Sequence, residues 1–295
     1  MNDNVQKLIE RAGELLERLE RMLPTEPPAA DWNASIAFRW RRKSGHACIE
    51  SVAHVHRIEL SDLQGIDDQK QLVEQNTRQF VQGYPANNVL LTGARGTGKS
   101  SLIKALLNKY ASRGLRLIEV EKQDLVDLPE IVALIAARPE RFIIYCDDLS
   151  FEADDPGYKA LKVVLDGSIS AASDNCLIYA TSNRRHLMPE FMNENLEYRH
   201  VGEEIHPGET SEEKISLSER FGVWASFYPF DQDEYLSIVD VWIRHFAVEG
   251  AGTEAAHKAA LQWSLARGSR SGRVAWQFAR DWAGRKQMQE HSRSE

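Results

Sequence analysis

Apolar positions recur at spacings of three and four between residues 3 and 23, where Val5, Leu8, Ala12, Leu15, Leu19 and Met22 fall on one face of a helix. The same stripe reads as a short heptad run. Two uses stay open: a helix docked on its own chain or a neighbour, and a short oligomerisation zipper. Pro24, Pro27 and Pro28 stop the helix and begin a stiff linker. Between residues 36 and 60 apolar and polar positions partly alternate, with Ile49, Val52, Val55 and Ile58 as inward candidates, which predicts β structure. His54 and His56, two apart, then fall on one face of a strand, with no third metal ligand following.

From residue 62 the pattern becomes an alternation of strands and helices. Short apolar runs predict strands at Asn88–Thr92, Leu115–Val120, Phe142–Cys146, Cys176–Ala180 and Ala225–Tyr228, with helices near 129–138 and 156–166. Strands separated by helices predict a parallel sheet covered on both faces. After Pro229 the strands end, and residues 232–247, 254–266 and 271–284 read as helices rich in Trp and Ala. The predicted organisation is an N-terminal helix and linker (1–30), a β-rich extension (31–61), an α/β domain (62–229), a helical lid (230–285) and a tail (286–295). The segment from Glu190 to Ser216 has weak periodicity and reads as a loop or insertion.

Candidate chemistry is concentrated in the α/β part. Gly93-Ala94-Arg95-Gly96-Thr97-Gly98-Lys99-Ser100, followed by Ser101, matches the phosphate-loop pattern G-x-x-x-x-G-K-[ST] and lies between a predicted strand and a predicted helix. Glycines let successive backbone N–H groups turn inward around a phosphate, and the helix N-terminus adds positive potential. Lys99 is placed for the terminal phosphates and Ser100 for Mg²⁺. The run Phe142 to Cys146 ends on Asp147 and Asp148. The first acid suits a metal and the second suits polarising water. The pattern therefore predicts a nucleoside triphosphate and Mg²⁺ as ligands, and ATP where a guanine-reading pattern is lacking.

Such a loop serves kinases, GTPases, helicases and AAA+ machines alike. The guanine-reading N-K-x-D pattern fails at Asn108-Lys109-Tyr110-Ala111. Three features favour AAA+. Asn183 closes a strand with a polar group, Arg220 precedes the last strand, and Arg273 opens the last helix of the lid. On these runs the chain resembles an uncharacterised bacterial family of AAA+-type ATPases known only as a domain of unknown function. The motifs that carry the likeness are Leu91 to Ser101, Cys146 to Glu152, Ala180 to Leu187 and Ser216 to Gly222. It covers roughly residues 36 to 285.

The resemblance implies an AAA+ three-layer α/β fold with a small helical lid. It makes Lys99 and Ser100 the Walker A residues, and Asp147 and Asp148 the Walker B acids. Asn183 is similar to sensor 1, Arg220 to an arginine finger acting on a neighbouring subunit, and Arg273 to sensor 2. Gly65-Ile66-Asp67 looks like the segment lining the adenine pocket. One departure stands out. Most AAA+ chains carry Glu where this one has Asp148, a side chain shorter by one C–C bond, roughly 1.5 Å. An Asp-Asp pair also occurs in replication initiators and helicase loaders, which turn ATP over slowly and act as switches. Glu152 is an alternative longer carboxylate. The expected activity is ATP hydrolysis at interfaces of a ring-like homo-oligomer, remodelling or loading an unknown protein partner. The alternative is a slow ATP switch associated with DNA, and a small-molecule kinase ranks below both.

Composition refines this picture at three points. The net charge of −8 disfavours a uniformly basic nucleic-acid coat. Arg39, Arg41, Arg42 and Lys43, interleaved with Phe38 and Trp40, leave a local nucleic-acid contact open beside the plainer reading of a solvated face. Residues 147 to 213 hold fifteen acids against five bases, while residues 251 to 295 hold eight bases against four acids; subunit pairing and, equally, metal ligands with solvated loops account for this asymmetry. Cys48, Cys146 and Cys176 are too scattered for a disulfide framework or a zinc site. Met1 to Leu23 is laced with charge, and no apolar run reaches the ~18 residues of a membrane span, so a cytoplasmic setting without membrane partners is expected.

Overall fold

Strands that read as unbroken apolar runs prove to be buried on both faces. A computed structural model describes residues 11–13, 30–43, 46–151, 155–166, 174–183, 199–201, 204–206 and 218–294. Its strands are β1 (Ala37–Lys43), β2 (His46–Ser51), β3 (Val89–Gly93), β4 (Leu115–Glu119), β5 (Arg141–Cys146), β6 (Cys176–Ser182), β7 (Arg199–Val201), β8 (Glu204–His206) and β9 (Val223–Phe227). Seven of them form one sheet in the order β2-β1-β4-β5-β6-β3-β9, and β7 pairs with β8 in a separate ribbon. The β1–β2 pair is antiparallel and the other pairs of the large sheet are parallel.

The helices are α1 (Asp67–Val81), α2 (Lys99–Tyr110), α3 (Leu128–Ile135), α4 (Pro156–Asp166), α5 (Gln232–His245), α6 (Glu254–Ala266) and α7 (Gly272–Ser294). The two-residue period of the strands divides the core between two faces. Leu90, Ile118, Ile144 and Ile178 pack on one side with Ile131 and Ile135 of α3. Val89, Leu91, Leu117, Ile143 and Tyr179 pack on the other with α2 and with Ile238, Ala260 and Phe278 of the three last helices. Each such aliphatic side chain contributes about 1.5–3 kcal/mol on burial.

The structure revises several sequence expectations. The β structure expected over residues 36 to 60 ends at Ser51 and lies on the edge of the main sheet, because β1 pairs in parallel with β4 (Phe38 opposite Ile118). Ile58 is buried there, while Ile49, Val52 and Val55 are half-buried. His54 and His56 stand in irregular chain after β2, so they do not share a strand face. Among the described residues no group of three or more His, Cys, Asp or Glu side chains suited to a metal comes together. Helix α1 has no counterpart in the sequence reading, and α7 runs on through the expected tail, where Gln, Met, Glu and Arg are adequate helix formers.

The basic cluster of β1 is matched by the chain's own acids. Arg39 Nε meets Glu119 Oε2 at 2.6 Å, and Arg41 pairs with Glu121. Arg42 Nε donates to Asp127 Oδ2 at 2.8 Å, and the buried Trp40 Nε1 donates to the same oxygen at 2.9 Å. Of the predicted N-terminal helix only residues 11–13 are described, and they are helical; the rest, with Glu152 and most of 190–216, lies outside the described residues.

Candidate functional site

The glycine loop begins where β3 ends, and each glycine has a separate reason to be one. Gly93, at φ 125°, lies opposite Phe227 in the sheet, and a Cβ there would fall 1.9 Å from the Phe227 carbonyl oxygen. Gly96, at φ 77°, presses against Ser271, the residue before α7. Gly98, at φ 103°, caps α2, and its carbonyl accepts from the Leu102 N–H at 2.8 Å. Thr97 Oγ1 closes the loop by donating to the Ala94 carbonyl at 2.8 Å.

Lys99 follows directly and is 6% exposed. Its ammonium donates to the carbonyls of Gly93 and Ala94, both at 2.7 Å, and to Asn183 Oδ1 at 3.2 Å. Burial holds its pKa below the usual lysine value against the pull of Asp147 and Asp148, and the nearby Arg95 and Arg273 push the same way as burial.

Asp147 and Asp148 leave the end of β5 beside this loop. Asp147 Oδ1 accepts from Ser100 Oγ at 2.9 Å and from Thr181 Oγ1 at 2.5 Å. Burial works to raise the Asp147 pKa, but donation from Thr181 and Ser100 is among the effects that overcome it and keep the group below the usual carboxylate range. Thr181 also accepts the Asp148 N–H at 2.9 Å, so one hydroxyl sets the spacing of the two acids. Asp148 has φ 53°, a left-handed conformation uncommon outside glycine. Its Oδ1 accepts from the Asn183 amide, and its Oδ2 lies 3.3 Å from the Arg95 guanidinium.

These groups line a cleft of about 760 Å³ to which helices α5 and α7 also contribute. The cleft holds Arg95, Gly96, Thr97, Gly98, Lys99, Ser100 and Ser101 from the loop, with Ile66, Asp147, Asp148, Asn183 and Arg273. Twelve of the predicted site residues thus converge. Three do not line it. Gly93 is committed to packing against β9, Ala94 lines a neighbouring cavity with Pro229 and Ser271, and Arg220 pairs with Asp166 at the end of α4.

The structure adds residues that sequence reading missed. Part of the cleft wall is apolar, made by Phe230, Ile238 and Trp242 and by Trp276 of α7. Their sequence signal, aromatic residues at helical spacing, is the same as for any packed helix. Thr181 lies inside the motif run around Asn183, but its link to both acids depends on the β5–β6 register that sets Cys146 opposite Ala180.

The arrangement fits a triphosphate with a divalent cation. An ionised carboxylate beside a serine hydroxyl is a hard all-oxygen donor set of the kind Mg²⁺ takes. The start of α2 offers N–H groups that lack intrahelical partners, and Lys99 supplies a cation. The cleft as a whole, at about 760 Å³, has the size of a small-molecule site, and its apolar wall suits a base.

The Thermotoga maritima RuvB Holliday junction branch migration motor is similar at 16% identity, over 77% of this chain and 64% of that one, with a TM-score of 0.48. A proline-to-glycine variant of that motor gives 0.50 at 16% identity, over 75% and 64%. The Aeropyrum pernix Orc1 protein in complex with DNA gives 0.49 at 15%, over 72% and 58%. The chain therefore spans just under two thirds of the length of the first of these structures. At these identities the likeness is one of fold, the P-loop NTPase fold. No curated protein sequence matches the chain. Among the described residues no helix is long and apolar enough to cross a membrane. A family model described as "Protein of unknown function (DUF815)" matches residues 33–286, and the chain belongs to that family.

Proposed function

We propose that this chain is a Mg²⁺-dependent ATPase of the AAA+ kind, working in the cytoplasm at interfaces between copies of itself to remodel or load a protein partner. The observation that carries this reading is the convergence of Lys99, Ser100, Asp147, Asp148, Asn183 and Arg273 on one cleft that also has an apolar wall. Residues 62–229 bind the nucleotide, and residues 230–285 form the lid over it. Lys99 and the loop N–H groups hold the phosphates, while Ser100 and Asp147 hold Mg²⁺. The bound metal neutralises charge on the phosphate oxygens.

Asp148 accepts a proton from water, and Asn183 positions that water. The water oxygen forms a bond to the γ-phosphorus, the bond from that phosphorus to the bridging oxygen breaks, and ADP departs with the electron pair. Arg273 reports the γ-phosphate to the lid. Arg220 lies away from its own cleft, on a segment just before β9, which suits a role on a neighbour's nucleotide. A finger of this kind stabilises charge that develops in the transition state, so it affects turnover far more than binding.

The test is phosphate release per subunit as protein concentration rises at saturating Mg²⁺. A specific rate that climbs and levels off supports shared sites. A flat rate near zero with ATP bound supports the second reading, a slow switch, which is favoured by one observation: both Asp148 oxygens already have partners in Asn183 and Arg95. No ATP binding at all overturns both readings. DNA as the switch's partner rested on the basic cluster of β1, and the pairing of Arg39, Arg41 and Arg42 with Glu119, Glu121 and Asp127 weakens that ground.

A further inference from the structure

Arg95 is the third residue of the glycine loop, and nothing in the ATPase reading yet uses its side chain. The guanidinium is 75% exposed and stands 3.3 Å from Asp148 Oδ2. The other Asp148 oxygen takes the amide of Asn183, whose carbonyl oxygen takes the Lys99 ammonium at 3.2 Å. Four side chains thus form one continuous sequence of contacts, from Lys99 through Asn183 and Asp148 to Arg95, along the floor and mouth of the cleft.

Charge makes this sequence responsive to an anion. Arg95, Lys99 and Arg273 face two carboxylates, Asp147 and Asp148, and both arginines act electrostatically on Lys99. A phosphate held by Lys99 competes for the same cations. A guanidinium binds phosphate in a two-pronged geometry that a single long contact to a carboxylate lacks. The Arg95–Asp148 contact is exposed and weak, so exchanging it costs little. Arg95 also belongs to the loop assigned to the phosphates, between Ala94 and Gly96, the latter at φ 77°, so its reach to the terminal phosphate is local.

We propose that Arg95 is a phosphate-sensing catalytic arginine supplied by the chain's own loop. It leaves Asp148 Oδ2 for the terminal phosphate of ATP, and its departure opens that oxygen to the attacking water. This rests on the ATPase reading. ADP has no terminal phosphate, so with ADP the Arg95–Asp148 contact persists and Asp148 stays engaged. The same exchange explains how a short Asp serves where a Glu is usual: its availability is set by the nucleotide.

The experiment is equilibrium binding of the β,γ-imido analogue of ATP, with Mg²⁺, and of ADP to the full chain. Wild type is compared with Arg95→Ala, Arg95→Lys and Arg95→Gln. Arg95→Ala is expected to weaken the triphosphate analogue about tenfold, the low end for a charge-assisted hydrogen bond, while ADP stays within about twofold. Arg95→Lys is expected to recover part of the loss. Because the side chain is exposed the variants should fold, and Arg95→Gln provides a second, longer replacement. An unchanged preference for triphosphate over diphosphate in both Arg95→Ala and Arg95→Gln overturns the proposal. If wild type binds and hydrolyses ATP in that case, only the role of Arg95 has failed. If wild type binds neither nucleotide, the ATPase reading has failed and this one with it.

Discussion

Ser100 Oγ donates to Asp147 Oδ1 at 2.9 Å, which joins the first turn of α2 to the end of β5 across the mouth of the cleft. In the proposed ATPase, a hydroxyl and an ionised carboxylate at this separation would serve as a pair of Mg²⁺ ligands. Asp147→Asn keeps the shape and removes the charge. It is expected to lower ATP turnover about a hundredfold or more and to abolish the difference in ATP affinity between Mg²⁺ and a chelator. Ser100→Ala should show the same pattern in milder form. Titration of nucleotide with and without Mg²⁺ checks both, and an Asp147→Asn protein whose ATP affinity still depends on Mg²⁺ excludes Asp147 as the ligand.

Arg220 pairs with Asp166 outside its own cleft. If it serves a neighbour's nucleotide, Arg220→Ala should cut turnover roughly a thousandfold while ATP affinity changes by no more than about twofold. Mixing Arg220→Ala subunits with Asp147→Asn subunits should then restore part of the rate, because some interfaces pair an intact cleft with an intact arginine. Mixtures no faster than the sum of the two variants, or an Arg220→Ala protein with normal turnover, remove the assignment.

Trp276 is 36% exposed and lines the apolar wall of the cleft with Trp242 and Phe230. A planar base entering there gains aromatic contact. Trp276→Ala is expected to weaken ATP and ADP equally, by about tenfold, in contrast to the selective effect expected at Arg95. Nucleotide binding should also quench tryptophan emission, and Trp276→Phe should lose most of that change. An inorganic triphosphate, which has no base, should bind Trp276→Ala as it binds wild type.

The fold can be read from the sequence where burial is complete and fails to show where it is partial or polar. Val89 to Leu91 and Phe142 to Cys146 are enclosed on both faces, so every residue is apolar and the strand is unmistakable. Helix α1 escaped notice because its inward side carries Asn76 and Thr77 as well as Val73 and Phe80; both polar residues are bonded to the Tyr179 hydroxyl, at 3.2 and 2.8 Å, and no apolar period results. The parallel pairing of β1 with β4 is a contact between distant segments that no local pattern encodes. The glycine-loop part of the site was visible because its residues are fixed in one short run. The apolar wall was not, since Ile238, Trp242 and Trp276 come together only when α5 and α7 pack.

Gly93 offers a test of the packing that aims the loop. Its φ is 125°, and a Cβ would lie 1.9 Å from the Phe227 carbonyl oxygen, a backbone atom that cannot step aside without opening the β3–β9 pair. Gly114 has a similar φ of 91° with nothing within 4 Å of the added carbon. Gly114→Ala is expected to cost about 1 kcal/mol from backbone strain alone, and Gly93→Ala about 3 kcal/mol or more. Urea unfolding of the two variants separates strain from steric conflict. Equal losses would mean that β9 does not hold its register against β3.

Asp124 and Asp127, three residues apart, are shifted in opposite directions. Hydrogen bonding from Arg42 holds Asp127 below the usual carboxylate range against burial, with Trp40 helping. Burial raises Asp124, and the charges of Asp127 and Glu121 add to it. For Asp127 the folded value lies under the unfolded one, so its stabilisation is complete above the ordinary carboxylate pKa, about 3.9, and disappears as pH falls through the depressed value. For Asp124 the folded value lies above, so any favourable contribution belongs to the protonated form and is lost as pH rises through the elevated value. Asparagine mimics the protonated acid in each case. At neutral pH Asp127→Asn should therefore lower the unfolding midpoint and Asp124→Asn should raise it, and both differences should shrink as the solution is acidified. The signs are the content of the prediction: an Asp127→Asn midpoint that does not fall at neutral pH would show that Arg42 and Trp40 do not hold Asp127 as an ionised partner, and an Asp124→Asn midpoint that falls would show that burial does not disfavour the ionised Asp124.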